Sequence, residues 1–226
     1  MTPADIDRLR SSRYVLLDFD GPVCSAFAGY PAPEVADALR ADALDAEIVL
    51  PVDLLDERDP MKVLLGLWEV APQHHERAEA LLAAAEVTSV ATASPTPGAI
   101  PFLRACADTR RPVAVVSNNS PECVISFLEK HDLTPLVQGV FGREKSSPHL
   151  MKPNPHLPLL ALQALGAEAE ATILVGDSTT DIEVAHAVGA VAIGYANKSG
   201  KRSQFGKLRA DVIVRHMGAL AVALVG

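Results

Sequence analysis

Tyr14-Val15-Leu16-Leu17-Asp18-Phe19-Asp20-Gly21 drives an apolar run straight into two carboxylates one residue apart and then a glycine. Large apolar residues ending at such a turn form the pattern of a parallel strand buried on both faces. Alternation along an extended segment puts Asp18 and Asp20 on one side and Phe19 on the other. Two carboxylates this close at a strand end repel each other and are costly to desolvate. A divalent cation relieves that conflict, and one carboxylate can then attack while the other carries a proton. The same stretch also reads as a strand followed by an acidic cap, so its chemistry depends on what else the chain brings to this point.

The 226 residues can bury a full core, as one domain or as a domain with a modest insert. Apolar residues make up 49% and charged residues 21%, a globular balance. A net charge of -8 argues against nucleic acid or an anionic membrane as the main partner. An anionic substrate remains compatible, because a local cation and a few basic residues reverse the field inside one cleft. Cys24, Cys106 and Cys123 lack the spacing of a zinc site, so free thiols in a reducing cytoplasm are the expectation. The first residues are acidic where a signal peptide is basic, and no apolar run reaches transmembrane length, which also points to a cytoplasmic protein. Oligomeric state is not legible in the sequence.

Thr2 as N-cap, Pro3 at the first helical position and Asp5 in the first turn predict a helix over Pro3–Ser11. From Cys24 to Ala93 there is no β-branched strand core, and helices are predicted over Pro33–Leu44, Asp59–Val70 and Pro72–Ala85. In the third, Ala78, Leu81, Leu82 and Ala85 form the apolar face, and Glu76, Arg77 and Glu79 are expected to face water. Strand-like runs resume at 112–116, 136–141, 172–175, 191–195 and 211–214, alternating with helices over Pro121–Lys130, Leu157–Leu165 and Asp181–Val188. This order predicts an α/β protein, a doubly wound, Rossmann-like parallel sheet core over 1–23 and 94–226 with an inserted all-helical cap over 24–93. Gly21–Tyr30 and Thr92–Gly98 read as the two crossings on which that insert closes like a lid.

Ligands in such sheets bind beyond the carboxyl ends of the strands, and three further polar signals stand there. Ser117-Asn118-Asn119-Ser120 follows an apolar strand; it reads as a phosphoryl-holding hydroxyl with free amides, or as a turn and helix N-cap. Lys152 lies in a proline-stiffened turn, where a fixed ammonium neutralises a carboxylate and a transferring phosphoryl group. Gly176-Asp177-Ser178-Thr179-Thr180-Asp181 ends another buried strand. Asp177 can complete an oxygen-rich magnesium site with Asp18, and Asp181 can orient Ser178, Lys152 or a metal-bound water.

In sequence order these elements resemble the haloacid dehalogenase superfamily: Asp18-Phe19-Asp20-Gly21 its first motif, Ser117 its second, Lys152 its third, and Gly176-Asp177 with Asp181 its fourth. The insert resembles the helical cap of its phosphoglycolate phosphatase and β-phosphoglucomutase relatives. The resemblance implies magnesium held by the Asp18 carboxylate, the Asp20 main-chain carbonyl and Asp177, and an aspartyl-phosphate on Asp18. An acid at position 20 implies phosphoryl transfer rather than dehalogenation, with Asp20 as general acid and base and Ser117, Asn118 and Lys152 binding the phosphoryl group. The expected activity is a magnesium-dependent phosphatase acting on a small phosphorylated metabolite. A phosphosugar mutase and a non-catalytic ligand- or protein-binding regulator are the alternatives. Pro22-Val23-Cys24 departs from the family pattern after the glycine, and its proline removes a backbone donor beside the site.

Substrate choice is expected from insert loops that face the sheet. Arg58 and Lys62, in the most polar break between the predicted helices, can meet a second anionic group, or belong to a solvated turn capped by Asp59. His74 and His75 are expected to be exposed and Trp68 to lie in the insert core; the basic stretch Asn197–Arg209, which follows a strand end, reads as a frame for the cleft mouth that steers anionic substrates, or more readily as a solvated loop.

Overall fold

The computed structural model describes residues 1–226. Helix α1 (Pro3–Ser11) opens on a capping box: the Thr2 hydroxyl accepts from the Asp5 N–H, and the Asp5 carboxylate accepts from the Thr2 N–H. Strand β1 (Tyr14–Leu17) follows. Next come four helices, α2 (Ala32–Asp45), α3 (Val52–Leu55), α4 (Pro60–Val70) and α5 (His75–Val90). The third predicted helix therefore divides, with Pro72–His74 forming a 3-10 turn before α5. The remaining chain alternates: α6 (Ala99–Asp108), β2 (Val113–Val116), α7 (Pro121–Lys130), β3 (Gly139–Phe141), α8 (His156–Leu165), β4 (Thr172–Gly176), α9 (Thr179–Val188), β5 (Val191–Tyr195), α10 (Lys201–Lys207), β6 (Val212–Val214) and α11 (Met217–Val225). No helix is long and apolar enough to cross a membrane.

The six strands form one parallel sheet in the order β3-β2-β1-β4-β5-β6. It is an α/β doubly wound sheet, and the strand order reverses between β1 and β4, where such sheets open a crevice at their carboxyl edge. Pleating sends Val15 and Leu17 to one face and Leu16 to the other. The first face packs against α1, α6, α7 and α11 through Leu9, Phe102, Phe127 and Leu220. The second packs against α8, α9 and α10 through Leu157, Ile182 and Phe205. A third apolar cluster lies wholly within residues 35–85, built from Val35, Leu39, Leu64, Leu67 and Leu82 of α2, α4 and α5.

The two crossings are bonded to each other. Cys24 bridges to Asp20 and to Pro95, the Thr96 N–H donates to the Val23 carbonyl at 2.8 Å, and the Thr96 hydroxyl donates to the Gly21 carbonyl at 2.7 Å. All three cysteines are free and buried.

Four expectations are corrected. Glu79 is buried, not turned to water, because Arg143 reaches it from the sheet side. His74 and His75 are buried as well: the His74 ring pairs with Asp42 at 2.8 Å, and the His75 ring contacts the Lys145 carbonyl. Asn197–Arg209 contains a helix, α10, whose Phe205 is fully buried under the sheet. Trp68 is half-buried and stacks on His149 with ring centroids 4.9 Å apart, at the edge of the helical segment rather than in its core.

Candidate active site

Asp18 is placed by the strand before it. Its N–H continues the ladder to the Val175 carbonyl at 2.8 Å, which fixes the backbone as the chain leaves the sheet. Gly21 then turns with φ 105°, and a Cβ there would lie 2.4 Å from Asp177 Cγ. Only glycine lets the two acidic strand ends approach this closely. The Asp20 carboxylate accepts from the Ala26 N–H at 2.8 Å.

Lys152 joins the strand ends. Its ammonium donates to Asp18 at 2.7 Å, to Asp181 at 2.6 Å and to the Val116 carbonyl at 2.9 Å, so its three protons are directed to three acceptors. Its backbone is clasped by the Asn118 side chain: the Lys152 N–H donates to Asn118 Oδ1 at 2.8 Å, and Asn118 Nδ2 donates to the Lys152 carbonyl at 3.1 Å. Asp181 also accepts from the Ser178 N–H and hydroxyl at 2.9 and 2.6 Å, forming the capping box of α9. Ser117 lines the cleft, with its hydroxyl donating to Asn119 Oδ1 and accepting from the Asn119 N–H, both at 3.1 Å.

Burial and then the Asp181 charge raise the Asp18 carboxyl well above its ordinary value, against the pull of Lys152. Burial opposes ionisation of Asp181 too, but Lys152 and the Ser178 hydrogen bonds outweigh it and hold that carboxyl low. Burial disfavours the Lys152 ammonium, yet Asp18 and Asp181 keep it charged. Asp20 is raised by burial, partly offset by the Ala26 N–H.

Asp18, Asp20, Ser117, Asn118, Lys152, Asp177 and Ser178 all line one cleft of about 730 Å³. Arg58, between α3 and α4, and Lys62, in α4, line the same cleft from the helical segment. Lys62 pairs with Glu57 at 3.4 Å, while the exposed Arg58 makes no ion pair. The N–H groups of Phe19, Asp20 and Asn118 have no acceptor in the chain. Free amides beside a carboxylate and an ammonium form a cradle for an anion.

The donor set fits a hard divalent cation. Carboxylate oxygens of Asp18, Asp177 and Asp181 lie within 4.8 Å of one another, and the Asp20 carbonyl takes no main-chain hydrogen bond. Two ammonium groups, Lys152 and Lys201, meet these three carboxylates and leave negative charge uncompensated. Because Lys152 and Ser178 already satisfy Asp181, the available oxygens are those of Asp18, Asp177 and Asp20.

Sequence reasoning marked Asn197–Arg209 as a stretch able to frame the cleft mouth but did not pair it with Asp177: Asn197 Nδ2 donates to that carboxylate at 2.8 Å, and the Lys201 ammonium also donates to it. Both follow the end of β5, the signal that marks the other strand ends, but the acid they meet lies after β4, which only packing reveals. Sequence reasoning also missed Arg143 and Glu86, which no local pattern marks, and gave Asn119 no role of its own within the turn.

A doubly wound sheet with acids, a buried lysine and free amides at its reversal point defines an α/β fold with a strand-end anion site. A profile of haloacid dehalogenase-like hydrolases matches residues 59–195, more than half of the chain, and the chain belongs to this family. The match includes Ser117, Lys152, Asp177 and Asp181 and begins after Asp18 and Asp20. A segment of 87 residues is 36% identical to the phosphoglycolate phosphatase of Aliivibrio fischeri, covering 37% of this chain and 37% of that protein. The matched part thus spans little more than a third of that relative's length.

Among solved structures, CbbY from Rhodobacter sphaeroides in complex with phosphate superposes with a TM-score of 0.70 at 15% identity, over 94% of this chain and 99% of that one. A haloacid dehalogenase-like hydrolase of Bacteroides fragilis gives a TM-score of 0.71 at 20% identity, over 92% and 99%. A predicted phosphoglycolate phosphatase from Haemophilus somnus gives 0.66 at 16% identity, over 93% and 96%. At these identities the likeness is one of fold.

Proposed function

We propose that this hydrolase is a magnesium-dependent phosphatase acting on a small phosphorylated metabolite. The observation that carries the reading is the Lys152 ammonium 2.7 Å from Asp18 in a cleft where three main-chain N–H groups have no acceptor. Asp18 attacks phosphorus in line, forming an acyl phosphate as the bond to the ester oxygen breaks. Asp20 gives its proton to the leaving alkoxide. Ionised Asp20 then takes a proton from water as that water attacks the acyl phosphate, releasing phosphate and restoring Asp18. Lys152 and the amides of Phe19, Asp20 and Asn118 stabilise the phosphoryl oxygens, joined by the Ser117 hydroxyl when it turns from Asn119 Oδ1, while the Asn118 side chain holds Lys152 in place. Asp18, Asp177 and the Asp20 carbonyl would hold magnesium, which when bound neutralises phosphoryl charge.

Asp181 with Ser178 holds Lys152 in place without touching substrate. Residues 24–93 act as a cap over the core formed by 1–23 and 94–226, and Arg58 and Lys62 present positive charge to the part of the substrate remote from phosphorus. Three buried free thiols support a reducing, cytoplasmic setting. The test is a panel of phosphate esters with magnesium and with EDTA. Wild type is expected to release phosphate from at least one ester only with magnesium, and Asp18→Asn to lose at least about 10³-fold in kcat. Equal phosphate release by wild type and Asp18→Asn overturns the nucleophile assignment. Conversion of a phosphosugar to its isomer without free phosphate replaces hydrolysis by mutase chemistry.

A further inference from the structure

Arg143 is the largest fully buried side chain of the molecule, 1% exposed, and it lies outside the cleft. It stands just after β3, on the sheet side, yet both of its acidic partners come from α5. Nε donates to the Glu79 carboxylate at 3.0 and 2.9 Å, while Nη1 and Nη2 donate to Glu86 at 2.9 and 3.1 Å. Glu79 and Glu86 are themselves 2% and 0% exposed. Burying three charges is costly, and as a means of gaining stability alone an apolar cluster of the same volume does as well or better. The cluster therefore calls for a role in geometry.

The remaining contacts indicate which geometry. Arg143 Nη1 also donates to the Asn118 carbonyl at 2.7 Å, and the Arg143 N–H to the Asn119 carbonyl at 2.9 Å. Glu86 accepts from Asn119 Nδ2 and from the Ser120 N–H, both at 3.0 Å. Asn119 in turn engages the Ser117 hydroxyl, and the Asn118 side chain clasps Lys152, whose ammonium reaches Asp18. An unbroken series of hydrogen bonds thus runs from the helical segment through Arg143 to the groups that face phosphorus.

We propose that Arg143 is a positioning residue: it registers α5, through Glu79 and Glu86, on the Ser117–Ser120 turn, and so sets the Asn118 peptide and, through the Asn118 side chain, Lys152. The inference deepens the phosphatase reading and rests on it for its kinetic part. Its structural consequence is that α5 and the phosphoryl-facing turn move as one body.

Arg143→Lys keeps a cation between the two glutamates, but a single ammonium cannot reproduce a fork that meets two carboxylates and a carbonyl at once. Should that variant fail to fold, the charge-free combination Glu79→Gln, Glu86→Gln and Arg143→Met replaces it. Three readouts are taken on the full chain: kcat on the best ester, the competitive inhibition constant of inorganic phosphate, and hydrogen exchange of the Ser117–Ser120 and Lys152 amides. The expected result is a fall in kcat of about 10²-fold, weaker phosphate inhibition, and faster exchange at Lys152 with β1 unchanged. The inhibition constant does not depend on the fraction of folded enzyme, so a role limited to stability leaves it at the wild-type value. Wild-type inhibition and exchange in the folded variant overturn the proposal, whatever happens to the melting temperature. If wild type hydrolyses no ester, the phosphatase reading fails, and exchange alone decides: faster exchange at Lys152 upholds the positioning role and unchanged exchange ends it.

Discussion

Gly21 turns the chain at the end of the nucleophile strand. Its φ is positive and a Cβ there would fall 2.4 Å from Asp177 Cγ, which leaves no room for a side chain, so Gly21→Ala strains the turn and pushes two acids apart. A loss of about 1–3 kcal/mol in chemical unfolding is expected. Gly176 plays the matching part on β4, where a Cβ would fall 2.1 Å from Asp181 Cγ. Far from the cleft, Asp42 joins α2 to α5, and hydrogen bonds from Arg77 first, then His74, hold its carboxyl below the ordinary 3.8. A carboxylate depressed on folding stabilises fully above its unfolded pKa and loses that contribution as pH falls through the lower folded value. Asp42→Asn is therefore expected to melt lower than wild type at neutral pH. The difference should shrink below about pH 3.8, and a melting difference that stays constant with pH counts against this linkage.

At the scale of elements, α9 shows how one local device serves both fold and chemistry. Ser178 caps the helix by accepting from the Asp181 N–H, and Asp181 answers by accepting from Ser178 while holding Lys152. Ser178→Ala should cost about 0.5–2 kcal/mol in denaturant unfolding through the lost cap. Activity should fall as well, because one of the donors that fix Asp181 is gone. Helix α5 illustrates the opposite relation between pattern and role. Its apolar positions are readable at helical spacing, but Glu79 and Glu86 sit on a second buried face that exists only because Arg143 arrives from the end of β3. A helix buried on two sides has little amphipathic contrast to read.

At the scale of the whole molecule, the third apolar cluster lies inside the helical segment, and the segment is tied to the sheet side both by apolar packing, through Val87 and Val90 of α5 and through Phe27, and by polar and aromatic contacts: Arg143 with the two glutamates, His75 with the Lys145 carbonyl, and Trp68 on His149. Buried charges cannot be parted cheaply, so the segment and the sheet are expected to unfold together. The chain has a single tryptophan, and it stands at this junction. Urea transitions followed by Trp68 fluorescence and by far-UV circular dichroism should coincide. An earlier fluorescence transition means that the helical segment melts alone.

The order of the strands, most of the helices, the helical stretch after β1 and the four signals at Asp18, Ser117, Lys152 and Asp177 were legible in the sequence; α3, α6, α10 and α11 were not. Each is written locally, as an apolar run, a cap or a turn residue. Helix α11 escaped because Met217–Val225 is apolar on every side and shows no period, and α10 because its one buried residue, Phe205, stands among charged and polar neighbours. That Lys201 and Asn197 meet Asp177, that Arg143 joins α5 to the Ser117–Ser120 turn, and that Asp181 belongs to Lys152 as much as to its own cap are seen once the chain is folded. Those pairings link residues 20 to 64 positions apart, and what makes them is packing of whole elements, which leaves no trace in the neighbourhood of either partner.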